Sequence, residues 1–425
     1  MAGKAIIVEG QAVRSPFTTF GIGEPYGNSL IQNQGMGGIG VSNPQYLFMN
    51  NQNPALLVFN TITVFQAGAV GERRTIKADT LSETNVGGNL SYLVTAFPVI
   101  PDRRVRTGGA NTMWSTGLGL MPYSSVNFNM NYTDYSFDSE GEVIDTIQVK
   151  ESGSGGLTQF YWSNGIKLYR DLALGVKIAY IFGPIQNDYS NYSIDNGQIS
   201  QYTVQIKEKT TIKDFNFTIG AAYSDTVGTR KRYGYNLGVT YALPSKLNAS
   251  RRAEILRFFT GQTQPIETDT IFTKGGFLKM PASITAGASI FRTNKWTIGT
   301  EFNYQDWSAF ESINNDDEGL GKSWRVALGG EITPDVFAVE NYLKRMTYRA
   351  GLSYERYPFI VNGNQVNDFG INFGFSMPAG RSSLDLAFKV GKRGDQAQNI
   401  LAENYFKVYF GITFNDQWFI KRKFD

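Results

Sequence analysis

The chain has 425 residues, a formal net charge of +3, and neither cysteine nor histidine. That excludes thiol catalysis, disulfides, zinc sites of the usual kind and Ser-His-Asp triads together. The small charge, with both signs interspersed, argues against a nucleic-acid partner.

The chain opens with MAGKAIIVEGQA, which is too short and, with Glu9, too polar for a secretory signal. Gly10-Gln11-Ala12 has the small-x-small form of a cleavage site, so a signal upstream of this numbering is expected.

Residues 34–41, QGMGGIGV, match the dinucleotide fingerprint G-x-G-x-x-G at Gly35, Gly37 and Gly40. That fingerprint works only with a strand before it, a helix after it and an acidic residue roughly 20 positions on. Here the approach YGNSLIQNQ has no apolar run, the exit carries Pro44 and Pro54, and no Asp or Glu lies between Glu24 and Glu72. The glycines are therefore read as structural, and no cofactor is expected. The first 58 residues are too rich in Gly, Asn and Pro for an independent domain. They nonetheless contain Phe17, Phe20, Tyr26, Met36, Tyr46, Phe48 and Met49.

Beyond residue 58 the pattern changes. In FNFTIGAAY the residues Phe215, Phe217, Ile219, Ala221 and Tyr223 alternate with Asn216, Thr218, Gly220 and Ala222. This period of two marks strands. It recurs in LALGVKIAY, YGYNLGVTY, WTIGTEFNY and FKVYFGITF. The spans 60–72, 86–98, 113–135, 157–169, 172–193, 199–225, 232–243, 267–292, 295–309, 321–333, 345–358, 365–378, 381–392 and 401–417 make fourteen expected strands. Tight turns (YRD at 169–171, RTNK at 292–295, AGRSS at 379–383) oppose longer polar loops at 136–156, 244–266 and 310–320. SRRAEILRFF, within 244–266, and TPDVFAVENYL at 333–343 are read as short helices or loops.

The second face decides the class. A soluble sandwich would turn a dense polar face to water, whereas this face carries Gly117, Gly119, Gly175, Gly351, Gly374 and Gly411. Isolated charges join them: Lys177, Glu301, Arg325, Arg349, Glu355, Asp385, Lys389 and Lys407. Small residues and charges of both signs suit the crowded interior of a closed barrel whose apolar set faces lipid, with Trp114, Tyr132, Tyr241, Trp296 and Tyr304 as aromatic girdles. The expected fold is all-β: a 14-stranded antiparallel transmembrane barrel over 59–425, with 1–58 as a hatch filling a lumen too wide to be closed by wall side chains alone. Phe17, Phe20, Gly35, Gly37, Gly38, Gly40, Tyr46 and Phe48 are its candidate packing residues.

The run Gly35-Met36-Gly37-Gly38-x-Gly40-Val41, then Asn53-Pro54-Ala55-Leu56, LSYLVTAFP at 90–98, MPYS at 121–124 and the closing NDQWFIKRKFD together resemble FadL-type long-chain fatty-acid transporters over most of the chain. The resemblance implies a lateral opening at a kink in the third strand. Asn53, Pro54 and Ala55 would gate it at Met121, Pro122 and Tyr123. Pro122 has no N–H for the ladder and should bend or open the wall in either case. Leu93 and Phe97 are expected to project inward by alternation, lining an apolar path or packing on the hatch.

The implied function is passive uptake of hydrophobic, fatty-acid-like molecules with lateral release, in the outer membrane of a Gram-negative bacterium. The expected partners are outer-membrane lipid and a hydrophobic ligand. Because the expected loops are polar, with only Ile255, Leu256, Phe258 and Phe259 as an apolar group, a second reading stands. In it the barrel is a non-transporting structural or accessory subunit of a larger assembly, with other outer-membrane proteins as partners. No catalytic grouping, metal site or enzymatic activity is expected.

Overall fold

The computed structural model describes residues 13–79, 81–101, 112–137, 143–169, 171–195, 198–227, 232–313 and 318–416. The expected cleavage site, the tip of the 310–320 loop and the closing KRKFD lie outside them.

Fourteen antiparallel strands close into a barrel. They are β1 (Thr63–Ala78), β2 (Leu81–Pro101), β3 (Thr112–Pro122 continuing as Ser124–Phe137), β4 (Val143–Gly155 continuing as Thr158–Tyr169), β5 (Leu172–Asp195), β6 (Tyr202–Val227) and β7 (Tyr233–Ala242 continuing as Ser245–Phe259). The second half comprises β8 (Glu267–Met280 continuing as Ser283–Arg292), β9 (Trp296–Asp306), β10 (Lys322–Ile332), β11 (Thr347–Val361), β12 (Asn364–Ala379), β13 (Ser382–Arg393) and β14 (Leu401–Asp416). Closure is made by β14 on β1, in register from Thr63↔Asp416 to Ala78↔Leu401. Among the described residues no helix is long and apolar enough to cross a membrane.

The alternating residues divide as lipid solvation requires. Phe215, Phe217 and Ile219, Leu237 and Val239, Ile298 and Phe302, Phe369, Ile371 and Phe373, and Phe406, Phe410 and Phe414 are exposed on the outside. Lys177, Glu301, Arg349 and Asp385 are buried on the inside.

Two of the expected connections are strands. Val143–Gly155 extends β4, and Ser245–Phe259, which contains SRRAEILRFF, extends β7. They lie beyond a fault that crosses β3 to β8 at one level. β3 breaks at Tyr123, whose N–H donates to Leu157 O (2.7 Å), and Gly156 N–H donates to Pro184 O (3.0 Å). β7 breaks at Leu243–Pro244, and β8 breaks beside it at Pro281–Ala282. Proline cannot donate to the ladder, and Pro122, Pro184, Pro244 and Pro281 lie on or beside the fault in β3, β5, β7 and β8.

Beyond the fault the outward residues of β7 turn polar (Lys246, Asn248, Ser250, Arg252), while the inward ones are apolar (Leu247, Ala249). This reversal hides the strand from a search for a lipid-facing stripe. The inward face of the overhanging sheet, including Phe128, Ile181, Ile212 and Leu278, joins one apolar core with Trp307, Phe310, Tyr357 and Phe359 from the other side of the mouth. The segment TPDVFAVENYL is mostly turn, with a single helical stretch at Tyr342–Arg345.

Candidate functional site

The segment before β1 has little regular structure: 3-10 turns at Pro16–Thr19 and Pro54–Phe59, one helical turn at Ile31–Gln34 and a two-residue strand at Glu24–Pro25. Its polar groups bond to inward-facing side chains around the wall. Gly40 and Val41 N–H donate to Glu301 Oε2 at 2.8 and 2.9 Å. Gln32 donates to Asp385 at 2.9 Å, Asn372 to Gln34 O at 2.9 Å, and Ser289 to Ser42 O at 2.6 Å. A segment that reaches inward residues of β8, β9, β12 and β13 does so from within the lumen.

The glycines of QGMGGIGV allow this approach. A Cβ at Gly35 would lie 2.9 Å from Gly374 Cα. Gly37, at φ +74°, faces the Leu352 carbonyl oxygen, which would lie 2.9 Å from an added Cβ. Arg325 donates to the Gly37 carbonyl. The match to a phosphate-binding loop is coincidental: these glycines seat backbone against backbone.

Other hatch residues divide by depth. Phe17 enters the apolar core at the mouth, and Phe20 stacks on Phe359 at 5.6 Å. Gly38 and Gly40 are buried, Phe48 lies under the Arg349 guanidinium (5.8 Å), and Tyr46 is exposed while its ring meets Phe59 at 6.1 Å.

The strongest electrostatic feature surrounds Glu24. Its carboxylate lies 2.7 Å from Arg393, 3.2 Å from Arg74 and 3.7 Å from Lys407. Arg74 also meets Glu403 at 3.0 Å, Arg393 meets Asp368 at 3.3 Å, and Lys407 meets Glu72 at 3.2 Å. Ser15 donates to Glu403 at 2.5 Å, Tyr405 to Asp368 at 2.7 Å, and Arg393 to Tyr357 at 2.9 Å. Burial raises the Glu24 pKa, but Arg393, Arg74 and Lys407 outweigh it and hold the carboxyl well below its usual 4.5. Burial pushes the nearby Tyr26 phenol up to about 12. Paired charges of this kind give a lock with fixed geometry. Sequence reading missed Glu24, Arg74, Arg393 and Glu403, because only barrel closure brings them together.

The expected gate residues do not converge as the resemblance implies. Asn53 accepts from Ala55 N–H (3.0 Å), capping the turn, and donates to Val41 O and Ala221 O (both 3.0 Å). Pro54 and Ala55 press on Gly165, Gly175 and Gly220, hence on β4, β5 and β6. The neighbours of the β3 break are instead Asn51, donating to Met121 Sδ (3.1 Å), and Tyr26, whose N–H donates to Tyr123 O (3.0 Å). Glu24–Pro25 pairs with Ser124–Ser125 just above Pro122.

The inward assignment of Leu93 and Phe97 is corrected. Tyr92, Val94 and Ala96 are buried and Leu93 is 45% exposed, so Leu93 and Phe97 share the outward face. A bulge at Ser91, between Gly68↔Tyr92 and Ala69↔Leu90, resets the alternation. A cavity of about 380 Å³ remains between hatch, wall and mouth, lined by polar and charged side chains such as Lys177, Glu301 and Arg325 and by apolar ones such as Ile31, Met121 and Ile181. Among the described residues no cluster of metal-ligating side chains occurs.

At the level of the fold, the chain is similar to the Pseudomonas putida toluene transporter TodX (14% identity, 93% of this chain and 99% of that one, TM-score 0.56). It is also similar to a Pseudomonas aeruginosa FadL homologue (13%, 91% and 97%, TM-score 0.54) and to the CymD monoaromatic hydrocarbon channel (14%, 91% and 97%, TM-score 0.52). At these identities the likeness bears on architecture alone, and it agrees with the FadL-type 14-stranded barrel expected from the sequence. Among curated proteins no relative matches. The model of the family described as BamG matches residues 4–425, so this FadL-type barrel belongs to the BamG family.

Proposed function

We propose that this protein is a plugged outer-membrane barrel acting as a structural or accessory subunit of a larger assembly in the envelope of a Gram-negative bacterium. The observation that carries this reading is double closure of the lumen. The hatch is tied to the wall by the Glu24 cluster, and next to it the overhanging sheet packs an apolar core across the mouth. The cavity that remains presents charged and amide groups among apolar ones, and an entering alkyl chain would forfeit the solvation of the charged groups without replacing their hydrogen bonds.

The test is purification of the protein from native membranes in mild detergent, alongside uptake of long-chain fatty acids and toluene by a deletion strain. Stoichiometric co-purification of other envelope proteins with unchanged uptake supports the proposal. Monomeric isolation with lost uptake overturns it.

A second reading, passive uptake of hydrophobic molecules with lateral release at β3, has its own support. The wall is interrupted between Pro122 and Ser124, and the fold is shared with proteins described as a toluene transporter and a monoaromatic hydrocarbon channel. That reading requires hydrophobe binding above detergent background and slower passage in Pro122→Ala.

A further inference from the structure

The interruption of β3 leaves its neighbour incomplete. From Leu93 to Ala96, β2 pairs with β1 on one side and with Gly117–Leu120 of β3 on the other, and its pairing with β3 continues to Pro101↔Thr112. From Leu81 to Tyr92 it pairs with β1 only, among the described residues. The upper half of β3 has turned away, to pair with β4 and with Glu24–Pro25 of the hatch. In an antiparallel strand every second residue directs its N–H and C=O to one side, so this stretch presents a ladder of donors and acceptors that no described residue pairs.

Its side chains follow suit. Val86 and Leu90 are exposed on the outer surface, at 63% and 46%. Asn85 Nδ2 and Ser91 Oγ on β2, and Asn129 Oδ1 on the diverging half of β3, are shielded yet have no hydrogen-bond partner. Arg14 reaches Glu83 at 4.0 Å but adds no backbone pairing.

We infer that the free side of β2, residues 81–92, is a strand-addition site for an extended segment of another outer-membrane protein. This deepens, and rests on, the reading of the barrel as an assembly subunit. A strand is the ligand that satisfies both features at once. Its backbone completes the ladder, and alternating side chains set apolar groups beside Val86 and Leu90 and polar ones beside Asn85 and Asn89. An edge bordered by apolar, lipid-compatible residues and left unpaired is otherwise unfavourable, because hydrocarbon offers its N–H and C=O groups nothing. Small residues at Gly87 and Gly88 allow close approach.

The experiment places a photo-activated benzophenone amino acid in turn at Val86, Gly88 and Leu90 in native envelopes and maps the adducts by mass spectrometry. In parallel, amide exchange of the peptide 81–92 is compared between the purified native assembly and the isolated barrel in detergent. The expected result is adducts to one partner whose attachment points step along an extended segment as the probe steps along β2. Exchange of 81–92 in the assembly is expected to slow roughly tenfold. Adducts to lipid alone, adducts to a second copy of this chain, or unchanged exchange would each overturn the inference. If partners co-purify and crosslink only elsewhere, the assembly reading stands and this inference falls. If nothing co-purifies and uptake is lost on deletion, the assembly reading itself falls.

Discussion

The carboxylate of Glu24 lies 2.7 Å from the guanidinium of Arg393, joining the hatch to the last residue of β13. Since Arg74 on β1 and Lys407 on β14 share the same carboxylate, one hatch residue clamps three wall strands.

Acid should loosen this clamp. The folded-state pKa of Glu24 lies below its usual 4.5, so its stabilisation is fully present above that value and is lost as pH falls through the lower folded value. The mobility of a nitroxide attached beforehand to a cysteine placed at the exposed Thr19 is therefore expected to rise as pH falls below 4.5. In Glu24→Gln, which strands Arg393 and Arg74, the same nitroxide should already be more mobile at pH 7, with a loss of roughly 3–5 kcal/mol. Equal mobility in the two proteins at every pH would show that the clamp holds nothing.

Gly37 should be irreplaceable. At φ +74° with the Leu352 carbonyl against it, even Ala meets both backbone strain and contact. Gly37→Ala is expected to cost roughly 1–3 kcal/mol, read as a lower unfolding midpoint in detergent. Gly71→Ala, where an added Cβ meets nothing within 4 Å, should stay within about 0.5 kcal/mol. If the two variants unfold alike, the hatch seat is not tight.

The apolar core at the mouth predicts a third outcome. Phe359 is fully buried and stacks on Phe20 and on Tyr357 (5.5 Å). Phe359→Ala should cost about 3–5 kcal/mol and open the overhanging sheet to protease near Ser245–Phe259. Retained protease resistance would mean the sheet is held by its backbone ladder alone.

The lipid belt can be tested by sign reversal. Phe217 points outward and Thr218, beside it, lines the cavity. Phe217→Arg should lower the yield of folded barrel on refolding into vesicles by about 2–4 kcal/mol near mid-bilayer, falling towards the interfaces. Thr218→Arg should refold far better. Equal yields would refute the assignment of the two faces.

Lipid makes a simple demand, and the sequence alone meets it legibly. One face of each strand must be continuously apolar, so Phe215–Phe217–Ile219 and Phe406–Val408–Phe410 disclosed the wall, its fourteen strands and its charged interior. The glycines at 35–40 likewise disclosed a chain packed against backbone. Two strand segments beyond the fault, Val143–Gly155 and Ser245–Phe259, read as loops; in the second, water rather than lipid solvates the outer face, which carries Lys246, Ser250 and Arg252. Leu93 and Phe97 were assigned to the wrong face because one bulged residue, Ser91, shifts the phase without any mark in composition. Glu24, Arg74, Asp368, Arg393 and Glu403 are scattered from one end of the chain to the other. No spacing rule joins them, and they become neighbours only because β14 closes on β1 with the hatch inside. Periodicity is a local consequence of solvation, whereas the clamp, the closed mouth and the side of β2 that no described residue pairs depend on which distant strands meet.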